Sequence, residues 1–172
     1  MFSKTDIEKY FLAEKQGSLL FLVIGVIAVI AALIFFFGIK TSFYKGVAVP
    51  LIILGLIMGM MGYSIYSKAD EARKKIVYAY DMNPGEIKEK EIPRMEKLVK
   101  SFPVYKYAEG FLVIIGLFLF FYFKNADNNI SLKGVGAGLA IIAAIALFVE
   151  IAAASRGEAY LKGLQQWVGT MK

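Results

Sequence analysis

The chain has 172 residues, of which 58% are hydrophobic and 20% are charged, and its formal net charge is +6. It contains no cysteine and no histidine, which excludes disulfides, thiolate nucleophiles and histidine-ligated metal or haem sites. The hydrophobic residues gather in four blocks of about 20 residues separated by charged segments, so the sequence predicts an all-α polytopic membrane protein, a bundle of four transmembrane helices.

Residues 1–17 are predicted to form an N-terminal interfacial helix that begins at a T-x-x-E capping box, Thr5 and Glu8. Residues 18–67 are predicted to form the first transmembrane hairpin. Its first span is bulky and uncharged, while its second span begins near Gly46 and has Pro50 in the first turn, where a missing N–H costs little.

Residues 68–106 form the only long polar segment and are predicted to be cytosolic and helical. The first part continues the second span, and Asn83-Pro84-Gly85 is a strong turn signal. Residues 86–102 show the pattern of an amphipathic helix, which Pro93 should bend or interrupt and Pro103 should end. We expect this helix to dock onto the cytosolic extensions of the second and fourth spans.

Residues 107–154 are predicted to form the second transmembrane hairpin, and residues 155–172 a cytosolic C-terminal helix. The third span is rich in Phe and Leu. The fourth span is built largely from Gly and Ala and carries a single charge, Glu150. A helix with so little side-chain bulk can lie close against its neighbours.

The distribution of positive charge predicts the orientation in the membrane. Of the 20 Lys and Arg residues, only Lys40, Lys45, Lys124 and Lys133 lie in the two short loops. By the positive-inside rule, both termini and the long polar segment should be cytoplasmic. The expected location is the cytoplasmic membrane of a bacterium, the inner membrane of a cell with two.

The two hairpins resemble each other, which predicts a tandem repeat. Lys45-Gly46-Val47 opens the second span and Lys133-Gly134-Val135 opens the fourth. We therefore expect the second and fourth spans to pack closely and the Phe-rich first and third spans to show more surface to lipid. The residues predicted to permit close helix packing are Gly55, Gly59, Gly62, Gly134 and Gly138.

Three acids are candidate functional residues. Glu150 is the first of them, because an ionisable group inside a span marks a functional site by default. The competing interpretation is structural: Glu150 reaches the interface, or pairs with Arg156 or a tyrosine of the second span, Tyr63 or Tyr66. Glu14 and Glu109 stand at the entries of the first and third spans, where they either join Glu150 in binding a cation or relaying protons, or are simple interfacial carboxylates.

The sequence shows no phosphate loop, dinucleotide fingerprint, serine elbow or zinc spacing. It predicts a non-enzymatic membrane protein that binds lipid or a partner, with no cofactor and no metal. A proton- or cation-coupled transporter or channel using Glu150 is the alternative, and a metal-assisted lipid enzyme a third hypothesis. The bilayer, a second copy of the chain or another membrane protein are the expected partners; nucleic acid is not, because basic residues beside spans are explained by topology and lipid.

Overall fold

Every secondary-structure element in the described part of the chain, residues 2–125 and 127–170 of a computed structural model, is helical. The first half holds α1 (Lys4–Leu33), extended by a π-helical segment (Ile34–Ile39), and α2 (Ser42–Met82). The second half holds the single-turn α3 (Pro84–Glu86), a π-helical segment (Ile87–Glu91), α4 (Ile92–Tyr122), a 3-10 turn (Asp127–Asn129) and α5 (Ile130–Gly169).

Four of these helical stretches are long and apolar enough to cross a membrane, as the sequence predicts: Lys4–Ile39, Ser42–Met82, Pro84–Tyr122 and Ile130–Gly169. α2 alone has 41 residues, which at about 1.5 Å per residue extend roughly 60 Å, twice the ~30 Å thickness of a hydrocarbon core. Each long helix therefore consists of an apolar part and a polar part. We call the polar parts (residues 4–17, 68–106 and 155–169) the polar stalk.

The predicted start of α1 is wrong, because the capping box lies nearer the N-terminus than Thr5 and Glu8. The helix begins at Lys4 with Ser3 as its N-cap. The Asp6 carboxylate accepts hydrogen bonds from the Ser3 backbone N–H at 2.9 Å and from the Ser3 hydroxyl at 2.7 Å. Ser3 and Asp6 thus supply the same capping arrangement that the sequence analysis placed at Thr5 and Glu8, two residues further along the chain.

Pro103 does not end a helix, contrary to the expectation from sequence. It lies inside α4, which continues to Tyr122. Pro93 stands where the π-helical segment Ile87–Glu91 passes into α4, so the helical hydrogen-bond pattern changes beside it. Burial of Met95 and Phe102 holds the helix on the N-terminal side of Pro103. On the other side, the helix continues through an apolar stretch long enough to cross a membrane. Tertiary packing here outweighs the local preference of proline.

The four long helices form two hairpins joined through their small-residue members. α1 packs along α2, α4 packs along α5, and α2 packs against α5. In the most apolar part of each helix, one third of the residues are buried in α2 and in α5. The buried share is 17% in α1 and 6% in the stretch that contains α4. The expectation that the first and third spans expose more surface is therefore confirmed.

The contact between α2 and α5 is closest at Gly46 and Gly134. A Cβ on Gly46 would lie 2.0 Å from the Ser131 carbonyl oxygen, and a Cβ on Gly134 would lie 2.0 Å from that of Phe43. Since these positions correspond in the two halves, the crossing is reciprocal and the backbones touch without intervening side chains. This agrees with the predicted repeat, although a duplication of the chain stays a prediction.

The predicted packing glycines divide between two interfaces. Gly138 joins Gly134 in facing α2, where a Cβ would lie 2.7 Å from the Val47 carbonyl oxygen, whereas Gly55 and Gly62 face α1. Gly59 differs from the others, because a Cβ added to it would meet no atom within 4 Å. The glycine face of α2 thus packs mainly inside the first hairpin.

The largest fully buried side chains lie mostly in the polar stalk rather than in the apolar bundle: Phe11, Ile7, Ile87, Met95 and Leu164, against Ile142 alone in the bundle. They belong to one core that joins the start of α1, the ends of α2 and α5, and the segment from Ile87 to Met95. As expected, residues 86–102 pack against the polar extensions of α2 and α5. The lone Trp167 stacks on Tyr80 beside this core, with ring centroids 4.4 Å apart.

Candidate functional site

All four long helices line a cavity of about 220 Å³ where the apolar bundle meets the polar stalk. Because helix direction alternates within each hairpin, the residues that line it come from the stalk-proximal end of every span. By their order along the helices, the stalk side of the cavity carries Tyr10, Glu14 and Arg156, and we call this side the polar end; the bundle side is apolar except for Glu150 and Ser18. The lining side chains are Tyr10, Glu14, Ser18 and Phe21 of α1, Met61 and Ile65 of α2, Leu98, Ser101, Phe102 and Tyr105 of α4, and Val149, Glu150, Ala153 and Arg156 of α5, together with Gly17.

Glu150 lies in the wall of this cavity. Its Oε1 atom is buried, and no described residue offers it a hydrogen bond. The partners proposed from sequence do not supply one: Tyr63 is 64% exposed on the outside of α2, and neither Arg156 nor Tyr66 bonds to Glu150. A buried carboxyl oxygen without a donor is costly unless a proton, water or ligand satisfies it.

Glu109 stands on α4 near Glu150 but does not line the cavity. The two carboxyl groups are close enough to repel one another when both are ionised. The Oε2 atom of Glu109 is also buried, and the described residues offer it no hydrogen bond. The structure thus brings together two acids from the two helices of the second hairpin, Glu109 of α4 and Glu150 of α5.

Glu14 faces the polar end of the cavity and is better satisfied. It accepts a hydrogen bond of 3.2 Å from the Tyr10 hydroxyl. Burial raises the pKa of the Glu14 carboxyl above its ordinary value, and the nearby Arg94 guanidinium partly offsets this effect. Glu14 and Glu150 therefore share one cavity, and Glu109 lies outside it beside Glu150.

The three acids do not gather at a single point. Among residues 2–125 and 127–170, no cluster of three or more acidic side chains is arranged to hold a metal ion. The cavity instead mixes two carboxylates with one guanidinium, that of Arg156. Arg156 crosses from α5 to α1, where its guanidinium lies 2.7 Å from the position that a Cβ on Gly17 would occupy.

A buried polar network in the stalk, which the sequence analysis missed, supports the polar end of the cavity. Glu91 is only 3% exposed and accepts two hydrogen bonds from the Arg94 guanidinium, at 2.7 and 2.8 Å. Tyr160 donates to the same carboxylate at 3.3 Å and stacks on Tyr10, with ring centroids 3.9 Å apart. Tyr10 in turn bonds to Glu14.

This network fixes the position of Glu14 through a chain of packed groups. Burial raises the pKa of both tyrosines above their ordinary value, so Tyr10 and Tyr160 remain protonated donors. The sequence signal for the network was a Glu and an Arg three residues apart, Glu91 and Arg94. That spacing usually forms an exposed surface pair of little consequence, so it did not distinguish Glu91 from its charged neighbours.

Known proteins give no guidance about this site. Comparison of the chain with the known protein families, with curated proteins and with solved structures yields no match. The function must therefore be inferred from the cavity, the charges around it and the architecture of the helices.

Proposed function

We propose that this chain is an integral membrane protein that crosses the bilayer four times, with both termini and the polar stalk in the cytoplasm. The proposal is supported by four helices of sufficient length and hydropathy and by the concentration of Lys and Arg outside the two short loops. We place the chain in the cytoplasmic membrane of a bacterium.

Labelling of single cysteines in intact cells tests the orientation, because the natural sequence has none to remove. Asn128→Cys lies in the turn between α4 and α5, and Lys162→Cys lies on the exposed stalk surface of α5. A membrane-impermeant maleimide should label the first variant from outside and the second only after lysis. The opposite pattern, or a purified chain that stays dispersed without detergent, would overturn the proposal.

The function that this architecture supports best is non-enzymatic binding of an amphiphilic molecule, a lipid or a lipid-like compound, in the cavity. The cavity carries this proposal, because its lining is mostly apolar but includes the charged groups of Glu14, Glu150 and Arg156. Ligand sites in proteins are typically largely apolar pockets with a few polar groups that fix orientation. A molecule with an apolar chain and a polar head can contact both the apolar side chains and the charged groups of this lining.

A photoactivatable lipid probe tests this proposal in nanodiscs. Crosslinks should map to residues that line the cavity, and Ala153→Phe, which fills it, should abolish them. Ala144→Phe is the matched control, because Ala144 lies on the exposed face of the same helix. Ser101→Phe obstructs the opposite wall, so the test survives if one variant misfolds. Crosslinking spread evenly over the apolar surface, unchanged by either cavity variant, would refute a specific site.

A second function, proton- or cation-coupled transport, is favoured by one separate observation: the unsatisfied buried oxygens of Glu150 and Glu109. Two neighbouring acids inside a membrane can hold and pass a proton or attract a cation. Liposomes containing the wild-type chain or Glu150→Gln should then differ in pH-driven or cation flux. Flux equal to that of empty vesicles for both proteins would eliminate transport and leave the binding proposal standing.

A further inference from the structure

The charges around the cavity are unequal and point to the chemistry of its ligand. Glu14, Glu150 and the neighbouring Glu109 contribute three carboxylates. Arg156 of the lining and Lys106, whose charge acts on Glu150, contribute two cations. The Arg94 guanidinium beside Glu14 is already paired with Glu91, so one carboxylate remains in excess. A ligand with a positive charge complements this excess of acid, whereas an anionic ligand would add to the repulsion. Glu150 also lacks a hydrogen-bond donor among the described residues, and a cation that carries N–H groups supplies donor and charge together.

The size of the cavity limits what can enter. Its volume is about 220 Å³, while one water molecule in the liquid occupies about 30 Å³. The space accommodates a small headgroup or the first carbons of a chain, but not a whole lipid. Since the cavity is partly open, the rest of an apolar chain would lie along the bundle in the bilayer.

We propose that the ligand of this cavity is a primary ammonium group on an apolar chain, held by hydrogen bonds to Glu150. This inference rests on the proposed function and adds the headgroup chemistry to it. Apolar side chains such as Phe21, Met61 and Ile65 contact the chain. Glu14, fixed by Tyr10, adds a second carboxylate at the polar end.

Two sources supply this chemistry: a phospholipid with an ethanolamine headgroup and a free long-chain amine. Arg156 bears on the choice, because none of the described acids lies within ion-pair distance of it. Its guanidinium is therefore free to pair with the phosphate beside an ethanolamine ammonium. A free amine would leave Arg156 without this partner.

Binding of four single-chain probes to the full chain in phosphatidylcholine nanodiscs tests the inference. Dodecylamine carries the ammonium, dodecyltrimethylammonium keeps the charge without N–H donors, and dodecanol and dodecanoate carry neutral and anionic heads. We expect saturable one-to-one binding of dodecylamine, at least about tenfold tighter than that of the other three, because a charged hydrogen-bonded pair contributes that much. Glu150→Gln should remove the preference, while Glu158→Gln, on the exposed stalk face of α5, should retain it.

The outcomes separate this inference from the proposed function. Equal binding of all four probes that Ala153→Phe abolishes would refute the amine preference and keep the amphiphile site. No saturable binding, or binding indifferent to Ala153→Phe, would refute both. A dodecylamine preference that survives Glu150→Gln would refute the role of Glu150. Replacing part of the phosphatidylcholine by phosphatidylethanolamine should displace dodecylamine if the lipid is the source, and leave its binding unchanged if a free amine is.

Discussion

Adding one methyl group at Gly134 should separate α5 from α2 and destabilise the bundle. The new Cβ would lie 2.0 Å from the Phe43 carbonyl oxygen, whereas a carbon–oxygen contact needs about 3.3 Å. The obstacle is backbone and cannot rotate away, so the helices must part locally by about 1 Å. Overpacking costs about 1–3 kcal/mol and the better helix propensity of alanine returns about 0.5–1 kcal/mol, so the net loss in unfolding free energy lies between about 0 and 2.5 kcal/mol. Because the obstacle is backbone, we expect the upper part of this range, about 1–2 kcal/mol.

Thermal unfolding of the purified protein in nanodiscs measures this loss, which corresponds to a drop of about 2–8 °C in Tm. Gly59→Ala is the matched control: a Cβ there meets no atom within 4 Å, so Tm should stay constant or rise slightly. Gly46→Ala should behave like Gly134→Ala, and the double variant should lose less than the two losses added together, because one helix separation relieves both clashes. Full stability of Gly134→Ala, or strictly additive losses, would refute the reciprocal contact.

Three further predictions concern the stalk. Ile87→Ala empties a fully buried site and should lower the unfolding free energy by about 2–5 kcal/mol. Fluorescence of Trp167 follows the unfolding transition. An unchanged midpoint of that transition would contradict the buried core of the stalk. Glu91→Gln should lower the unfolding free energy by about 1–3 kcal/mol, because Arg94 and Tyr160 lose a charged hydrogen-bond acceptor. Glu89→Gln, at an exposed position, should have no measurable effect in the same denaturation experiment. Equal effects of the two substitutions would contradict the buried network. Burial raises the pKa of Glu14 above its ordinary value of 4.5, so the folded state binds this proton more tightly than the unfolded chain does and wild-type stability falls as pH rises past that value. Glu14→Gln should therefore gain stability relative to wild type as pH rises through this range, and a constant difference in Tm would disprove this.

The helices and their relative exposure follow from the sequence because the apolar blocks are long and their composition differs. Small residues in the second and fourth blocks indicate which helices can approach closely, and the Phe-rich blocks must remain outside. The sequence does not indicate which glycine faces which helix: Gly55 and Gly59 belong to one motif, yet only Gly55 would clash if it carried a Cβ. That distinction depends on the rotation of α2 about its axis, which hydropathy does not determine.

The candidate site was only partly predictable for the same reason. Glu150 is conspicuous as the one charge in its block, but its neighbours come from all four helices. Glu91 was not distinguishable from the charges around it, because residues Ile87–Glu91 are π-helical and the usual 3.6-residue period does not identify their inward face. The expectation for Pro103 is wrong because Met95 and Phe102, buried just before it, hold the helix in place there, and this packing overrides a local rule.

The pairing of helices has a consequence for the order in which the molecule is made. Gly25 meets Gly55 within the first hairpin and Gly116 meets Gly136 within the second. In the membrane topology that we propose, each half can therefore close on itself as it is synthesised and inserted. The junction of α2 with α5 can form only after the last helix has been synthesised. The cavity then comes into being as the final event of biogenesis, and a ligand that occupies it would favour the mature protein over a pair of separately inserted halves.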